Sequence, residues 1–261
     1  MGAGRYDQQG EATPQDVCSL PVPISLSPSK VRSFSNCPQA FRYKYIDHLP
    51  EPETESTTKG TIVHKALELV YNQDPPDRVS AIYNWALDAA VAACGLEASH
   101  ELLVECQNLI ENITALENPY QIPVKDTELW IEREVSGHTY RGIIDRVDRY
   151  PSHAVHLIDY KTGKVPNDRA ARERLHGLMF YAWLYGVDVQ AVSLYYLAGP
   201  TRISAAVEPH IIEGLRQRND AMWQAIERAC ERNDFRPRVG PLCSWCTFQA
   251  ICPAWLSSES P

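Results

Sequence analysis

The fold is decided by two neighbouring stretches, Gly142-Ile-Ile-Asp-Arg-Val-Asp148 and Leu157-Ile-Asp-Tyr-Lys-Thr-Gly163. Both are rich in branched apolar residues, and Pro151-Ser152 marks a turn between them, so we predict strands over 140–150 and 154–160. Around them the pattern predicts a strand near 129–135, a helix over 168–185, and a hairpin formed by 189–197 and 202–207. This order predicts the α/β class, with a mixed central sheet flanked by helices.

Further helices are predicted on both sides of this sheet. Ser27 is a good N-cap for a helix that begins at Pro28 and runs to about residue 46, and a loop over 50–58 follows it. Apolar periodicity predicts the other helices over 60–71, 78–94, 98–115 and 211–232. We therefore expect one domain over 26–256 with a helical insertion over about 72–120. Residues 1–25 are expected to be a flexible leader, and residues 257–261 a tail.

The composition is that of an ordinary globular protein. Of the 261 residues, 44% are hydrophobic and 22% charged, and the net charge of −8 argues against a generally basic nucleic-acid coat. The sequence contains no secretory signal and no apolar run long enough for a membrane helix. We therefore expect a cytoplasmic protein without a membrane partner, in which clustered cysteines are metal ligands rather than disulfides.

A carboxylate–lysine constellation lies on the two central strands, with Asp145 near the middle of the first and Asp159 at the end of the second. Asp159 and Lys161 are two residues apart and therefore share a face in a strand, and Asp145 on the neighbouring strand is able to converge on them. Carboxylates on one face suit Mg²⁺, and the lysine can orient an attacking water. The alternative is an ordinary surface ion pair at the strand ends.

These stretches resemble the central motifs of the PD-(D/E)XK nuclease superfamily, in particular its RecB-like exonuclease branch. The resemblance implies a restriction-endonuclease-like fold and a phosphodiester hydrolase that uses Mg²⁺ or Mn²⁺. It implies that Asp145 and Asp159 bind metal, that Lys161 is the catalytic lysine, and that the Tyr160 carbonyl is a further ligand. A second motif of the branch resembles Gly60-Thr-Ile-Val-His64-Lys-Ala-Leu-Glu68 and implies that His64 is a metal ligand, the alternative being a packed core histidine.

Two further motifs of this branch are matched only in part. Of Glu132 and Glu134, two acids on the strand before Asp145, we favour Glu134 as the family's additional acidic residue, with solvated strand charge as the alternative. Tyr181 fits the tyrosine of a helical motif that is expected to bind substrate. Gly177 occupies the position of the motif's glutamine, which puts one substrate contact in doubt.

The cysteines are clustered near the end of the sequence. Cys243, Cys246 and Cys252 place three thiols within ten residues, one short of a four-ligand centre. Cys37, which precedes Pro38, resembles the N-terminal cluster cysteine of the family. The resemblance implies a [4Fe–4S] cluster held by these four residues. The spacing alone leaves a Zn²⁺ site with the same ligands open.

The segment 27–45 carries basic residues interleaved with aromatic ones and no acidic residue. Lys30 and Arg42 are candidate DNA contacts there, because phosphate pairing combined with base stacking suits single-stranded DNA. The alternative is an amphipathic helix with buried aromatics and solvated charges.

We therefore predict a metal-dependent DNA nuclease, an exonuclease acting on DNA ends or single strands in repair or recombination. No Gly-x-x-x-x-Gly-Lys-[Ser/Thr] motif is present, so we expect either a stand-alone nuclease or the nuclease partner of a separate helicase. The alternatives are a non-catalytic DNA-binding or scaffold subunit of a helicase–nuclease complex, and a zinc-stabilised interaction protein.

Overall fold

The computed structural model describes residues 19–186 and 188–256. Its centre is a five-stranded sheet whose strands follow one another in space in chain order. The strands are β1 (Val124–Val135), β2 (His138–Arg149), β3 (Val155–Lys161), β4 (Val189–Tyr196) and β5 (Thr201–Ala206). All neighbours are antiparallel except β3 and β4, which are parallel and joined by a crossover helix, α6 (Asp168–Tyr185). The mixed sheet with flanking helices confirms the predicted fold class.

A tight turn fixes the register of the β1–β2 hairpin. Ser136 and Gly137 both have positive φ, at 54° and 78°, as a two-residue type I′ turn requires. The pairing that starts at Val135↔His138 continues through Leu129↔Ile144 and Thr127↔Arg146. The turn thus sets which residues of β1 lie opposite which residues of β2, up to a register shift between Val124 and Asp126.

Helices cover both faces of the sheet. On one face lie α3 (Glu55–Tyr71), α4 (Ser80–Cys94) and α5 (His100–Glu111), where Ile62 and Leu67 of α3 share a buried cluster with Ile158 of β3. On the other face α6 packs through Leu178 and Met179. Behind it lies α7 (Pro209–Glu231). The predicted helices 78–94 and 98–115 correspond to α4 and to α5 with the 3₁₀ turn Asn112–Ala115.

The first predicted helix is interrupted. Two helices, α1 (Pro28–Asn36) and α2 (Pro38–Tyr45), take its place, with Ser27 as the N-cap of α1 accepting a hydrogen bond from the Lys30 N–H. Cys37 between them is extended, with φ −158° and ψ 108°. Pro38 lacks an N–H and disfavours helical geometry in the residue before it, so the prediction of one continuous helix was wrong.

The loop predicted over 50–58 is shorter than expected. Thr54 and Thr57 form reciprocal side-chain-to-backbone hydrogen bonds, a capping box that starts α3 at Glu55. The helix therefore begins five residues before Gly60, which lies near Thr162 just after β3.

Residues before Pro28 already contact the domain. The Leu20 N–H donates to the Cys230 carbonyl at 3.0 Å, and Leu26 forms a parallel bridge with Tyr140 of β2. The remainder of the predicted leader, 1–18, and the predicted tail, 257–261, lie outside the described residues, which end with the short helix α8 (Pro253–Leu256). No helix among the described residues combines the length and apolarity needed to cross a membrane.

Candidate active site

Asp145 takes the place of a backbone acceptor where β2 and β3 separate. The two strands pair from Arg149↔Val155 to Arg146↔Ile158, one residue short of Asp145. There the Asp145 carboxylate accepts a hydrogen bond from the Tyr160 N–H at 2.7 Å. The side chain is thus held between the strands, with 12% of its surface exposed, and the next β3 residues flank it.

His64 reaches this carboxylate from α3. Its Nδ1 lies 3.3 Å from Asp145 Oδ2, and its Nε2 lies 3.1 Å from the Tyr160 carbonyl oxygen. Burial lowers the pKa of His64, but the charge of Asp145 and the hydrogen bond to it outweigh burial and raise the pKa to about 9. The imidazole therefore carries a proton at neutral pH and neutralises part of the acidic site.

Glu128 is the third member of the site. The register of the hairpin sets it opposite Asp145, between the pairs Leu129↔Ile144 and Thr127↔Arg146. Its φ of 44° is unusual for a residue within a strand, and such strain is common at functional sites. Burial first, and then the charge of Asp145, raise the pKa of Glu128 to about 7.

These three side chains form a candidate metal site. One ligand atom from each of His64, Glu128 and Asp145 lies within 4.8 Å of the other two. His64 and Glu128 also line a groove of about 610 Å³ beside α3, so the site is accessible. An imidazole and two carboxylates suit Mn²⁺, and the carboxylates with a backbone carbonyl suit Mg²⁺, so the donor set fits a divalent cation.

The predicted Asp159–Lys161 pair lies next to these ligands. Lys161 Nζ is 2.5 Å from Asp159 Oδ2. Burial and the charge of Asp145 raise the pKa of Asp159. Burial lowers the pKa of Lys161, but the Asp159 carboxylate more than offsets it, so the pKa is raised and the lysine stays charged. Asp159 is therefore paired with the lysine and lies outside the group of three ligands.

Tyr181 packs against the strand that carries Asp145. A Cβ on Gly142 would overlap the Tyr181 ring, with Cζ only 3.1 Å away, so glycine is needed for this contact. Burial, then the charges of Asp159 and Asp145, raise the pKa of Tyr181. Gly177, one helical turn before it, has no atom within 4 Å of the place where a Cβ would stand.

Arg146 supports the site from the face of the sheet that α3, α4 and α5 cover. Its fully buried guanidinium donates two hydrogen bonds to Glu117, at 2.6 and 2.8 Å, and one to Asp148 at 3.0 Å. It also donates to the Tyr160 hydroxyl at 2.9 Å and lies 4.2 Å from the centroid of the Tyr71 ring. The network joins the end of the helical insertion to the two strands that carry the candidate ligands.

A match to the model of the PD-(D/E)XK nuclease superfamily covers residues 25–253, almost the whole described chain. The chain belongs to this superfamily. Members typically use divalent metals, and the acidic site formed by His64, Glu128 and Asp145 is its candidate metal site.

The curated relatives that the chain matches are much longer proteins. The chain is 28% identical over 157 residues to an ATP-dependent helicase/deoxyribonuclease subunit from Streptococcus mutans serotype c, and 26% identical over 156 residues to the corresponding protein from Streptococcus equi subsp. zooepidemicus. Each match covers 54% of this chain and 14% of the relative. A solved structure from Eubacterium rectale, described as a candidate exonuclease, shares the fold with a TM-score of 0.54 and 11% identity, covering 85% of this chain and 87% of that one.

Two residues predicted from the sequence, Glu134 and Arg42, lie away from the candidate ligands. Glu134 is exposed near the hairpin turn, opposite Thr139 and six residues beyond Glu128, so it does not join the acidic site. Arg42 is ion-paired with Asp47 at 3.1 Å and donates to Asn233 at 2.9 Å. None of the contacts of Arg42 involves a residue of the acidic site.

Lys30 is tied to the edge of the β1–β2 hairpin. Its ammonium donates to the Ser25 carbonyl at 2.8 Å. Burial lowers the pKa of Lys30, and the positive charge of Arg141 on β2 lowers it further. The two cations are therefore neighbours on the nuclease fold.

The four predicted cluster cysteines line one cavity of about 200 Å³. Cys37 lies at the break between α1 and α2, and Cys243, Cys246 and Cys252 lie on the 3₁₀ turns Pro241–Trp245 and Gln249–Ile251 or directly after them. Backbone N–H groups point at two of the sulfurs: that of Arg238 lies 3.4 Å from Cys37 Sγ, and that of Gly240 lies 3.4 Å from Cys243 Sγ. Such donors stabilise thiolates.

Proposed function

We propose that the chain is a divalent-metal-dependent deoxyribonuclease, an exonuclease that acts on DNA ends or single-stranded DNA in repair or recombination. The observation that carries the proposal is the convergence of His64, Glu128 and Asp145 beside the Asp159–Lys161 pair. One helix and three strands supply these groups. Keeping several carboxylates close together and largely buried costs free energy unless a cation binds to them. Membership of the nuclease superfamily supports phosphodiester hydrolysis as the reaction.

In this proposal Mg²⁺ or Mn²⁺ would be held by His64, Glu128 and Asp145. Asp159 and the Tyr160 carbonyl lie nearby. When bound, the cation supplies Lewis acidity toward a phosphodiester oxygen and lowers the pKa of water. Lys161 remains charged beside Asp159 and is therefore suited to orient the attacking water and to offset the charge that develops on the phosphate.

Cleavage of labelled DNA with matched lysine variants tests this assignment. Lys161→Met keeps most of the side-chain volume and should lower cleavage at least ~10²-fold, the loss typical of one transition-state charge contact. Lys125→Met removes a lysine that also lies on the sheet but pairs with Asp126 at 3.5 Å, and it should retain activity. Full activity of Lys161→Met, or cleavage that persists in EDTA, would contradict the proposal.

The form of the DNA substrate decides how the enzyme attacks it. An exonuclease should digest end-labelled linear single strands and spare circular ones, in the presence of Mg²⁺ or Mn²⁺. Cleavage of both forms would instead indicate endonuclease action. Complete inactivity toward both, with retained DNA binding, would favour the non-catalytic subunit, for which the open space at Gly177 is the supporting observation.

We also propose that Cys37, Cys243, Cys246 and Cys252 hold a [4Fe–4S] cluster with a structural role. Four sulfurs around one Zn²⁺ would be about 3.8 Å apart, given Zn–S bonds of about 2.3 Å. The four cysteines line one cavity, and the resemblance to the iron–sulfur branch of the family is what favours the larger inorganic core over zinc. Linking Cys37 to Cys243 closes a loop of about 200 residues. Through the lost chain entropy of the unfolded state, a simple cross-link of that span stabilises the fold by on the order of 5 kcal/mol.

The metal content of protein purified without oxygen tests the cluster. We expect a brown protein with absorbance near 400 nm, about four irons per chain and a large fall in melting temperature for Cys243→Ser. Cys94→Ser is the matched control, because Cys94 is a half-buried free thiol at the end of α4, outside the four-cysteine cavity. A colourless protein with one zinc per chain would replace the cluster by a zinc site.

The similarity to helicase/deoxyribonuclease subunits supports a separate helicase as a partner. Co-purification of a helicase with the tagged chain, and stimulation of cleavage by that helicase and ATP, would test it. Cleavage of duplex DNA ends that is independent of ATP and of any second protein would argue against this partner.

A further inference from the structure

The outer face of the β1–β2 hairpin carries two apolar side chains in the open. Trp130 is 55% exposed and its cross-strand partner Ile143 is 43% exposed. The opposite face of the same hairpin is covered, because Ile144 packs in the cluster with α6 and Tyr181 lies on Gly142. A tryptophan and an isoleucine exposed side by side offer an apolar contact surface for a ligand.

This apolar pair adjoins the candidate metal site. Trp130 is two residues from Glu128 along β1, and Ile143 is two residues from Asp145 along β2. Residues two apart along a strand lie about 7 Å from one another. The apolar pair is therefore the next rung of the ladder after the acidic pair, at a separation that one extended nucleotide spans.

The charges around the pair favour a polyanion. The Arg141 guanidinium lies 5.6 Å from the centroid of the Trp130 ring. Glu132 faces Arg141 across the hairpin, yet Arg141 makes no ion pair with any residue that the structure describes. Lys30 adds a second cation close to Arg141, as its lowered pKa reflects after the larger effect of burial. The aromatic ring thus has the Arg141 guanidinium beside it and the candidate metal site two residues along each strand.

We propose that Trp130 and Ile143 form a stacking platform for one base of a single-stranded nucleic acid, next to the phosphate at the metal site, with Arg141 on the backbone. The proposal rests on the proposed nuclease function and specifies its substrate as unpaired strands. A base within a duplex has both faces occupied by its neighbours, whereas an unpaired base leaves a face free for an aromatic ring.

Binding to fluorescent oligonucleotides in EDTA tests the platform without cleavage. Trp130→Ala should weaken binding of single-stranded DNA about 5- to 150-fold, the loss typical when a stacking aromatic is removed, and Trp130→Phe should keep most of the affinity. Trp85→Ala is the matched control, since Trp85 is 47% exposed but lies on α4 in the insertion, and it should change affinity less than about twofold. Circular dichroism melts check that each variant is folded.

An abasic scan separates stacking from a general loss of binding. In the intact protein, one abasic position adjoining the scissile phosphate should reduce single-turnover cleavage in Mn²⁺, and the same lesion should add little in Trp130→Ala, because the two changes remove one contact. Affinity for a closed circular duplex should not depend on Trp130.

Each result bears on one proposal. Unchanged single-strand affinity in Trp130→Ala, an equal loss on closed duplex, or fully additive abasic and Trp130 effects would overturn the platform. If Trp130→Ala weakens single-strand binding as expected but the intact protein cleaves no DNA in Mg²⁺ or Mn²⁺, the nuclease function alone would be overturned.

Discussion

Replacing Arg146 with methionine should destabilise the protein severely while leaving the site residues in place. Arg146 is fully buried and is the cation for two carboxylates, Glu117 and Asp148, whose side chains are 6% and 1% exposed. Removing one member of such a buried group leaves uncompensated charge and costs about 3–5 kcal/mol. At roughly 2 °C per kcal/mol for a chain of this size, the melting temperature should fall by roughly 6–10 °C.

The effect of pH and of a compensated variant makes the Arg146 prediction specific. In Arg146→Met the unpaired Glu117 and Asp148 should have raised pKa values in the folded state, so the difference from wild type should shrink as pH falls and they become protonated. Adding Glu117→Gln and Asp148→Asn should recover part of the stability, because neutral side chains need no buried cation. Urea denaturation measures the stability of the wild type, the single variant and the triple variant. A single variant within 1 kcal/mol of wild type, or a triple variant no more stable than the single one, would refute the reasoning.

Three further predictions concern the site and the sheet. Because the pKa values of His64 and Glu128 lie at about 9 and 7, cation binding at pH 6 should release up to two protons, and Mn²⁺ affinity should therefore rise with pH toward 9. Calorimetry in buffers of different ionisation enthalpy counts the released protons. Binding without proton release would contradict this prediction. Gly142→Ala should cost about 1–3 kcal/mol through overlap with Tyr181, measured by melting, and Tyr181→Leu in that background should recover part of it, whereas an unchanged melt of Gly142→Ala would show that the ring moves freely. Burial, and then nearby arginines, lower the pKa of His156 to about 4, so the free energy of unfolding should fall by about 3 kcal/mol as pH drops from about 6.5 to 4. Urea titrations of His156→Gln should show a flatter dependence of stability on pH over that window. Parallel pH dependences of the variant and the wild type would contradict the prediction.

The fold could be predicted because each element has a local signature. The strands around Asp145 and Asp159 are apolar and bounded by turn residues, and α6 starts at Asp168 as the helical period indicated. The break at Cys37 was also readable in principle, since Pro38 follows it directly. Local steric rules of this kind need no tertiary information.

The candidate site was predictable only where the chain itself sets the geometry. Asp159 and Lys161 pair as their spacing indicated. Glu128 was missed in favour of Glu134, although Ser136-Gly137 is a two-residue hairpin signal whose register leads to Glu128. Arg146 gave no signal, because a charged residue between acidic neighbours usually lies in solvent. Its burial depends on Glu117, which arrives from another part of the chain.

The type I′ turn at Ser136-Gly137 has a consequence for how this protein tolerates change in length. Surface turns are ordinarily the places where insertions are accepted. Here one added or deleted residue would slide β1 against β2 and turn its side chains to the opposite face, so that Thr127 or Leu129 would stand across from Asp145 in place of Glu128. The length of a turn at the far end of the hairpin thus determines which residue lies opposite Asp145. That length is therefore constrained as tightly as the identity of a residue in the site.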